Sequence, residues 1–197
     1  MKKVINCLTD DNPVINKKLK EVSVEEGLAI AEELFQILNK RGDGIGLAAN
    51  QVGIDAQVAV VNVIEPLVLI NPKIIKKEAE IPFYEGCLSY PGKGIHTTRY
   101  RDVIVQTAQS ESGWYFSGAD GDDQDKRILE SICVQHEIDH LNGMTIHDRK
   151  RETTVKVEKK IGRNQKVLIA CGPDSKVVKY KKAIPLLENG WTLVESE

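Results

Sequence analysis

The segment His136-Glu137-Ile138-Asp139-His140 sets two histidines four residues apart, with a glutamate directly after the first. On a helix, residues so spaced stand one above the other on a single face, so both imidazoles can reach one cation. Glu137 sits beside that face. Its carboxylate can meet a water polarised by the cation and accept its proton. The chemistry this predicts is metal-assisted hydrolysis. The plain alternative is a helix that carries two histidines at this spacing and no metal, because so short a pattern recurs by chance.

A tetrahedral catalytic ion takes three protein ligands and keeps one position open. Downstream, a protease pattern with a third histidine six residues after the second finds Ile146 instead. The next histidine is His147, whose ring is expected to point elsewhere once the chain turns at Gly143. Upstream, Cys87 lies in Glu85-Gly86-Cys87-Leu88-Ser89, and thiolate is a strong ligand for borderline-soft divalent ions. On residue type alone, Cys87 reads first as a small buried apolar residue.

Two helices must position these groups. Ser23-Val24-Glu25-Glu26 matches a capping box, Leu28, Ala31, Leu34, Phe35 and Leu38 recur at helical spacing, and Gly42 can end the helix. This predicts a helix over 24–40. The second helix, over 124–142, carries the two histidines and ends at Gly143; the acidic run at 120–123 offers its N-cap. A Gly- and Ala-rich segment spans 44–53. Val/Ile-rich strands are predicted over 57–63 and 66–74, with two more over 102–107 and 113–116. The stretch 110–125 is acidic and loop-like, a candidate for the mouth of the site. Strand runs with two separate helices predict an α+β fold, mostly antiparallel strands around a central HExxH helix with an N-terminal helix.

Composition changes after Asp148. Residues 149–182 hold 12 Lys/Arg against Glu152, Glu158 and Asp174. Strands beginning at Lys166 and Lys176 flank Gly172-Pro173-Asp174 as a hairpin, followed by a short helix over 181–188 interrupted by Pro185. The division expected is 1–149 for the main domain and 150–197 for a basic appendage. Over the whole chain of 197 residues, 41% are hydrophobic, 28% charged, and the formal net charge is -2. These values are ordinary for a soluble globular protein and argue against an overall nucleic-acid or membrane habit. No apolar run is long enough to span a bilayer, and the N-terminus lacks the apolar stretch of a signal peptide. A soluble, cytoplasmic protein is expected. The four cysteines show no CxxC pair, so thiols or ligands are expected rather than disulfides.

Three segments, Gly44-Ile45-Gly46-Leu47-Ala48-Ala49-Asn50-Gln51, Glu85-Gly86-Cys87-Leu88-Ser89 and Gln135-His136-Glu137-Ile138-Asp139-His140-Leu141, resemble in order and spacing the signature segments of peptide deformylases. The resemblance covers about residues 4–149. It implies that Cys87, His136 and His140 bind one divalent metal, Fe(II) in the cell and often Zn or Ni after purification. It implies Glu137 as general acid/base and Gln51 as partner of the charge on the formyl oxygen, joined by the backbone N–H of Leu88. The implied activity is removal of the formyl group from the N-terminal methionine of new polypeptides by a monomeric protein.

Ile45, Gly46 and Gly86 would hold the substrate main chain as an added strand, glycine permitting close approach. Simple turn chemistry is the compatible alternative. Leu129, Ile132 and Cys133 lie seven, four and three residues before His136 and share its helix face. With Ile45 and Phe83 they would wall a pocket suited to methionine; plain core packing explains them equally. Glu85 and Asp139 are expected to pair with Arg99 or Arg101. His96 and His147 are expected at the surface, and Trp114, Trp191, Cys7 and Cys171 in packing. The family's C-terminal helix does not map onto this chain. The basic stretch reads first as a solvated face, with a ribosome contact as the alternative. An HExxH peptidase and a noncatalytic ribosome-associated module are the competing readings.

Overall fold

The structure, a computed structural model, describes residues 2–92, 94–118, 123–150, 163–171, 174–187 and 191–193. The chain divides into two compact units, Met1–Arg151 and Glu152–Glu197.

In the first unit, Ser23 opens helix α1 (Val24–Arg41) by accepting the Glu26 N–H, and Gly42 closes it in the left-handed conformation at φ 74°. The buried stripe is Gly27, Ala31, Leu34, Ile37 and Leu38. It is rotated from the stripe expected: Leu28 is exposed, and Ile37 takes an inner place. The glycine at 27 has a packing reason, since a Cβ there would lie 2.7 Å from the Ile70 side chain.

Strands β1 (Gly46–Ala48), β2 (Val58–Asn62) and β3 (Pro66–Ile70) form one antiparallel sheet in that order, with a single 3₁₀ turn over Ala49–Val52 after β1. The strand expected over 66–74 is in fact two. Asn71 breaks it at φ 48°, and its side-chain amide bonds both backbone polar groups of Val22. The chain restarts as β4 (Lys73–Gly86), which pairs with β5 (Gly94–Thr107), and β5 pairs with β6 (Ser110–Ser117). The stretch over 110–125, expected as a loop at the mouth of the site, is strand over Ser110–Ser117 and enters a helix at Gln124, and no described residue of it lines the cavity described below.

Helix α2 (Gln124–Leu141) is buried at every position from Ser131 to Leu141. It packs on both sheets, with Val134, Ile138 and Leu141 in the same core cluster as Val58–Val61. The acidic N-cap expected there is not formed. Asp123 holds the cap position at φ 59° without a capping bond, and its carboxylate pairs with Lys126 at 3.0 Å. At the other end Gly143 turns at φ 75°, where a Cβ would come within 2.8 Å of the Asn16 and Lys17 backbone.

In the second unit, β7 (Lys166–Cys171) and β8 (Asp174–Lys179) form the expected hairpin, and β9 (Thr192–Leu193) adds an unexpected third strand on β7. Helix α3 (Tyr180–Leu187) contains Pro185. Residues 151–162, at the start of the basic appendage expected from the sequence, lie outside the described residues. Among those residues, no helix is long and apolar enough to cross a membrane.

Candidate metal centre

A helix buried on all sides must find partners for its polar side chains, because an unpaired polar group in the interior costs about 1–3 kcal/mol. Gln135 exchanges bonds with the backbone of Tyr100, donating to its carbonyl at 2.7 Å and accepting its N–H at 3.0 Å. Asp139 accepts from Arg99 and, through both oxygens, from Arg149. Arg99 also donates to Glu85 Oε1 at 2.7 Å, and Glu85 Oε2 meets His136 Nδ1 at 2.8 Å. The pairing is with Arg99; Arg101 bonds Asp102 instead.

Two atoms of the helix stay unpaired. Glu137 Oε2 and His140 Nδ1 are buried with no hydrogen-bond partner among the described residues. Beside them, Cys87 Sγ stands 3.2 Å from His140 Nε2. One ligand atom each from Cys87, His136 and His140 lies within 4.8 Å of the others. The rings of His136 and His140 are 4.9 Å apart at 69°. One thiol and two imidazoles that converge with an unpaired carboxylate at their side suit a divalent ion of the zinc or iron type.

The charges follow from burial and neighbours. Burial pushes Glu137 up to about 7; the nearby charge of His136 only partly offsets it. For His136, burial works downward, but hydrogen bonds to Cys87 and Glu85 prevail and raise it to about 10. His140 is held well below its ordinary value by burial and by the charge of His136. Glu85 falls to about 2: burial opposes this, and His136 and Arg99 overcome it.

A cavity of about 660 Å³ opens on this centre. Its lining includes Gln51, Cys87, Leu88, His136 and Glu137, and also Ile45, Gly46, Phe83, Gly86, Leu129, Ile132 and Cys133. Every site residue expected from the sequence thus borders it, except His140, which lies behind. Gln51 is held in place at the cavity by its hydrogen bonds. Its Oε1 accepts the Ala48 N–H at 2.8 Å, and its Nε2 points at Cys87 Sγ and Ser89 Oγ, 3.5 and 3.3 Å away.

Other residues fall outside the centre. His96 and His147 are exposed, the first tilted at 55° against the Tyr84 ring and the second edge-on to Tyr90 at 81°. Trp114 packs on the core. Trp191 receives Lys176 over its ring at 4.1 Å. Cys7 is half-buried and free, and the side chain of Cys171 lies outside those described. Sequence reasoning missed Arg41, Asp43, Tyr84 and Tyr90 at the cavity. A signal existed for the tyrosines alone, which stand three residues to either side of Cys87.

Fold and site together define an α+β protein with a Cys-His-His candidate site for a divalent metal ion. The model of the polypeptide deformylase family matches residues 4–156. A peptide deformylase from Buchnera aphidicola is 41% identical over 160 residues, covering 77% of this chain and 83% of the relative. One from Dictyoglomus thermophilum is 36% identical over 156 residues, covering 76% and 94%. The crystal structure of a peptide deformylase from Synechococcus elongatus in complex with actinonin superposes with a TM-score of 0.61 at 35% identity, covering 77% of this chain and 80% of that one. The chain belongs to the polypeptide deformylase family, hydrolases that remove the N-formyl group from nascent polypeptides.

Proposed function

We propose that this chain deformylates the N-terminal formylmethionine of nascent polypeptides, with Cys87, His136 and His140 holding one divalent ion on a central HExxH helix. The observation that carries this is the convergence of those three side chains within 4.8 Å beside the unpaired Glu137 Oε2. The ion is Fe(II) in the cell, replaceable by Zn or Ni. When bound, it supplies Lewis acidity and makes water nucleophilic near neutral pH.

The residues of the chain do the rest. Glu137, with its pKa near 7, takes the proton of the attacking water and delivers it to the departing amine. Gln51 Nε2 and the Leu88 N–H donate to the formyl oxygen as charge grows there. Ile45, Gly46 and Gly86 align the substrate main chain. Phe83, Leu129, Ile132 and Cys133 surround the methionine side chain. Formate leaves, and the peptide keeps a free amino group.

Residues 1–149 form the catalytic domain and 150–197 a basic appendage, a candidate ribosome contact through phosphate-directed lysines. The working form is a cytoplasmic monomer. The test is formate release from formyl-Met-Ala-Ser by anaerobically purified, Fe(II)-loaded protein, with acetyl-Met-Ala-Ser as control. Selective release is expected. Cleavage of the Met-Ala bond instead would favour a peptidase.

A further inference from the structure

A line of alternating charges runs from His136 to the surface of the first unit. Glu85 Oε2 meets His136 Nδ1 at 2.8 Å, and Glu85 Oε1 accepts from Arg99 Nε at 2.7 Å. Arg99 Nη1 then donates to Asp139 Oδ2. Asp139 completes the line by accepting from Arg149, Nη2 to Oδ1 at 2.7 Å and Nε to Oδ2 at 2.9 Å. The side chains of Glu85, Arg99 and Asp139 are 3–6% exposed, whereas that of Arg149 is 39% exposed.

The three inner residues carry two negative charges and one positive, in an interior where an unbalanced charge is costly. Arg99 spends one guanidinium on two carboxylates, so its position is a compromise between Glu85 and Asp139. Arg149 decides that compromise. Its planar fork occupies both Asp139 oxygens, which leaves Arg99 free to hold Glu85 closely. Without Arg149, a full buried charge on Asp139 would have only Arg99 among the described residues to answer it. The shared guanidinium would be drawn toward Asp139, loosening Glu85 and the imidazole that Glu85 orients.

Arg149 is itself fixed. Its N–H donates to the Ile146 carbonyl at 3.3 Å, and the next residue, Lys150, bridges to the buried Thr97 on β5. It does not line the cavity and bonds neither histidine.

We infer that Arg149 is a positioning residue, which sets the orientation of His136 through Asp139, Arg99 and Glu85. The inference rests on the reading of Cys87, His136 and His140 as an ion site. Its rival is that Arg149 forms only a half-exposed ion pair, a contribution to stability with no reach to the centre.

The experiment loads the full-length wild type, Arg149→Met and Arg149→Lys anaerobically with Co(II). It reads the ligand-field absorption, the Co(II) affinity by chelator competition, and the thermal midpoint. The inference expects Arg149→Met to bind Co(II) about tenfold more weakly, as loss of outer support for a ligand histidine does. It also expects shifted Co(II) bands and recovery of most of both effects in Arg149→Lys. A lower thermal midpoint with unchanged bands and affinity overturns it. Should Arg149→Met be insoluble, Arg149→Gln takes its place, with the same two outcomes. If the wild type itself takes up no Co(II), the ion-site reading fails and this inference with it.

Discussion

Gly46 faces the carboxylate of Glu137 with no room for a side chain between them. A Cβ on Gly46 would overlap Glu137 Oε1 and lie 2.7 Å from Cys133 Sγ. Strand β1 therefore passes close against α2 at this point, beside the carboxylate that has an unpaired oxygen at the ion centre. Gly46→Ala should push Glu137 aside, because no hydrogen bond of Oε2 holds it in place. We expect deformylation to fall about 100-fold, as a misplacement of about 1 Å in a reacting group does. Bound metal should stay at one ion per chain. Turnover assays with metal analysis on the same sample check this; unchanged turnover would mean that Glu137 does not act from its present position.

Glu137→Gln keeps the shape of the side chain and removes its ability to take a proton. With its carboxyl raised to about 7 by burial, Glu137 is matched to proton transfer near neutral pH. The substitution should lower kcat by about 10²–10⁴, the usual worth of general acid–base catalysis, with metal retained. Substantial remaining turnover would assign the proton to another group.

The parts of the site most legible in the sequence are those fixed by short-range geometry. The i, i+4 spacing of His136 and His140 and the Ser23 and Gly42 caps need only one helix to be read. The long hairpin of β4 and β5 was largely hidden. Its outer strand carries Lys76, Lys77, Glu78 and Glu80 with Pro82, as an edge strand does, and so lacks apolar alternation. On β5 the buried positions 97 and 99 are Thr and Arg, polar residues whose partners lie far away in sequence, so a search for alternating hydrophobics passes over them. Arg149 was illegible for another reason. It meets Asp139 across the turn at Gly143, ten residues on, and no local spacing rule reaches that far.

Metal removal should separate function from fold. The core around α2 is built of apolar side chains from α1, β1, β2, β3, β5 and β6, and none of Cys87, His136 and His140 belongs to it. Anaerobic chelation should abolish deformylation while the far-UV circular dichroism persists, and added Fe(II), Ni(II) or Co(II) should restore activity. Cys87→Ser should bind metal at least tenfold more weakly, since a hydroxyl is a poor substitute for thiolate. Unfolding on chelation would show instead that the ion is structural.

Asp102 offers a test in acid, away from the centre. Its carboxylate accepts from Arg101 at 2.8 and 3.0 Å and from Ser117 at 2.6 Å, which ties β5 to β6. The bonds from Arg101, ahead of the one from Ser117, hold its pKa below the ordinary value of 3.8. A depressed folded pKa stabilises the fold in full above the unfolded value, and that stabilisation is lost as pH falls through the folded one. Asp102→Asn should therefore be less stable than wild type at pH 7, and the gap should narrow below about pH 4. Denaturant midpoints at pH 7 and pH 3 check this. A gap that stays constant would mean that the ionised form contributes nothing beyond its hydrogen bonds.

The boundary between the units sets the last prediction. All residues lining the cavity, and all three that converge on the ion position, belong to the unit Met1–Arg151. A chain ending at Arg151 keeps Arg149 on Asp139 and Lys150 against Thr97. It should fold and deformylate within about threefold of the full chain, since no described residue of the lost segment lines the cavity. A chain ending at Asp148 loses three residues more, yet two of these end the charge line and close the edge of β5. It should release Co(II) faster than the chain ending at Arg151 and unfold at lower temperature, because Asp139 then keeps a buried charge with a single shared partner. Equal metal retention by the two truncations would detach Arg149 from the ion site. Failure of the longer one to fold would make the second unit part of the folding unit of the first.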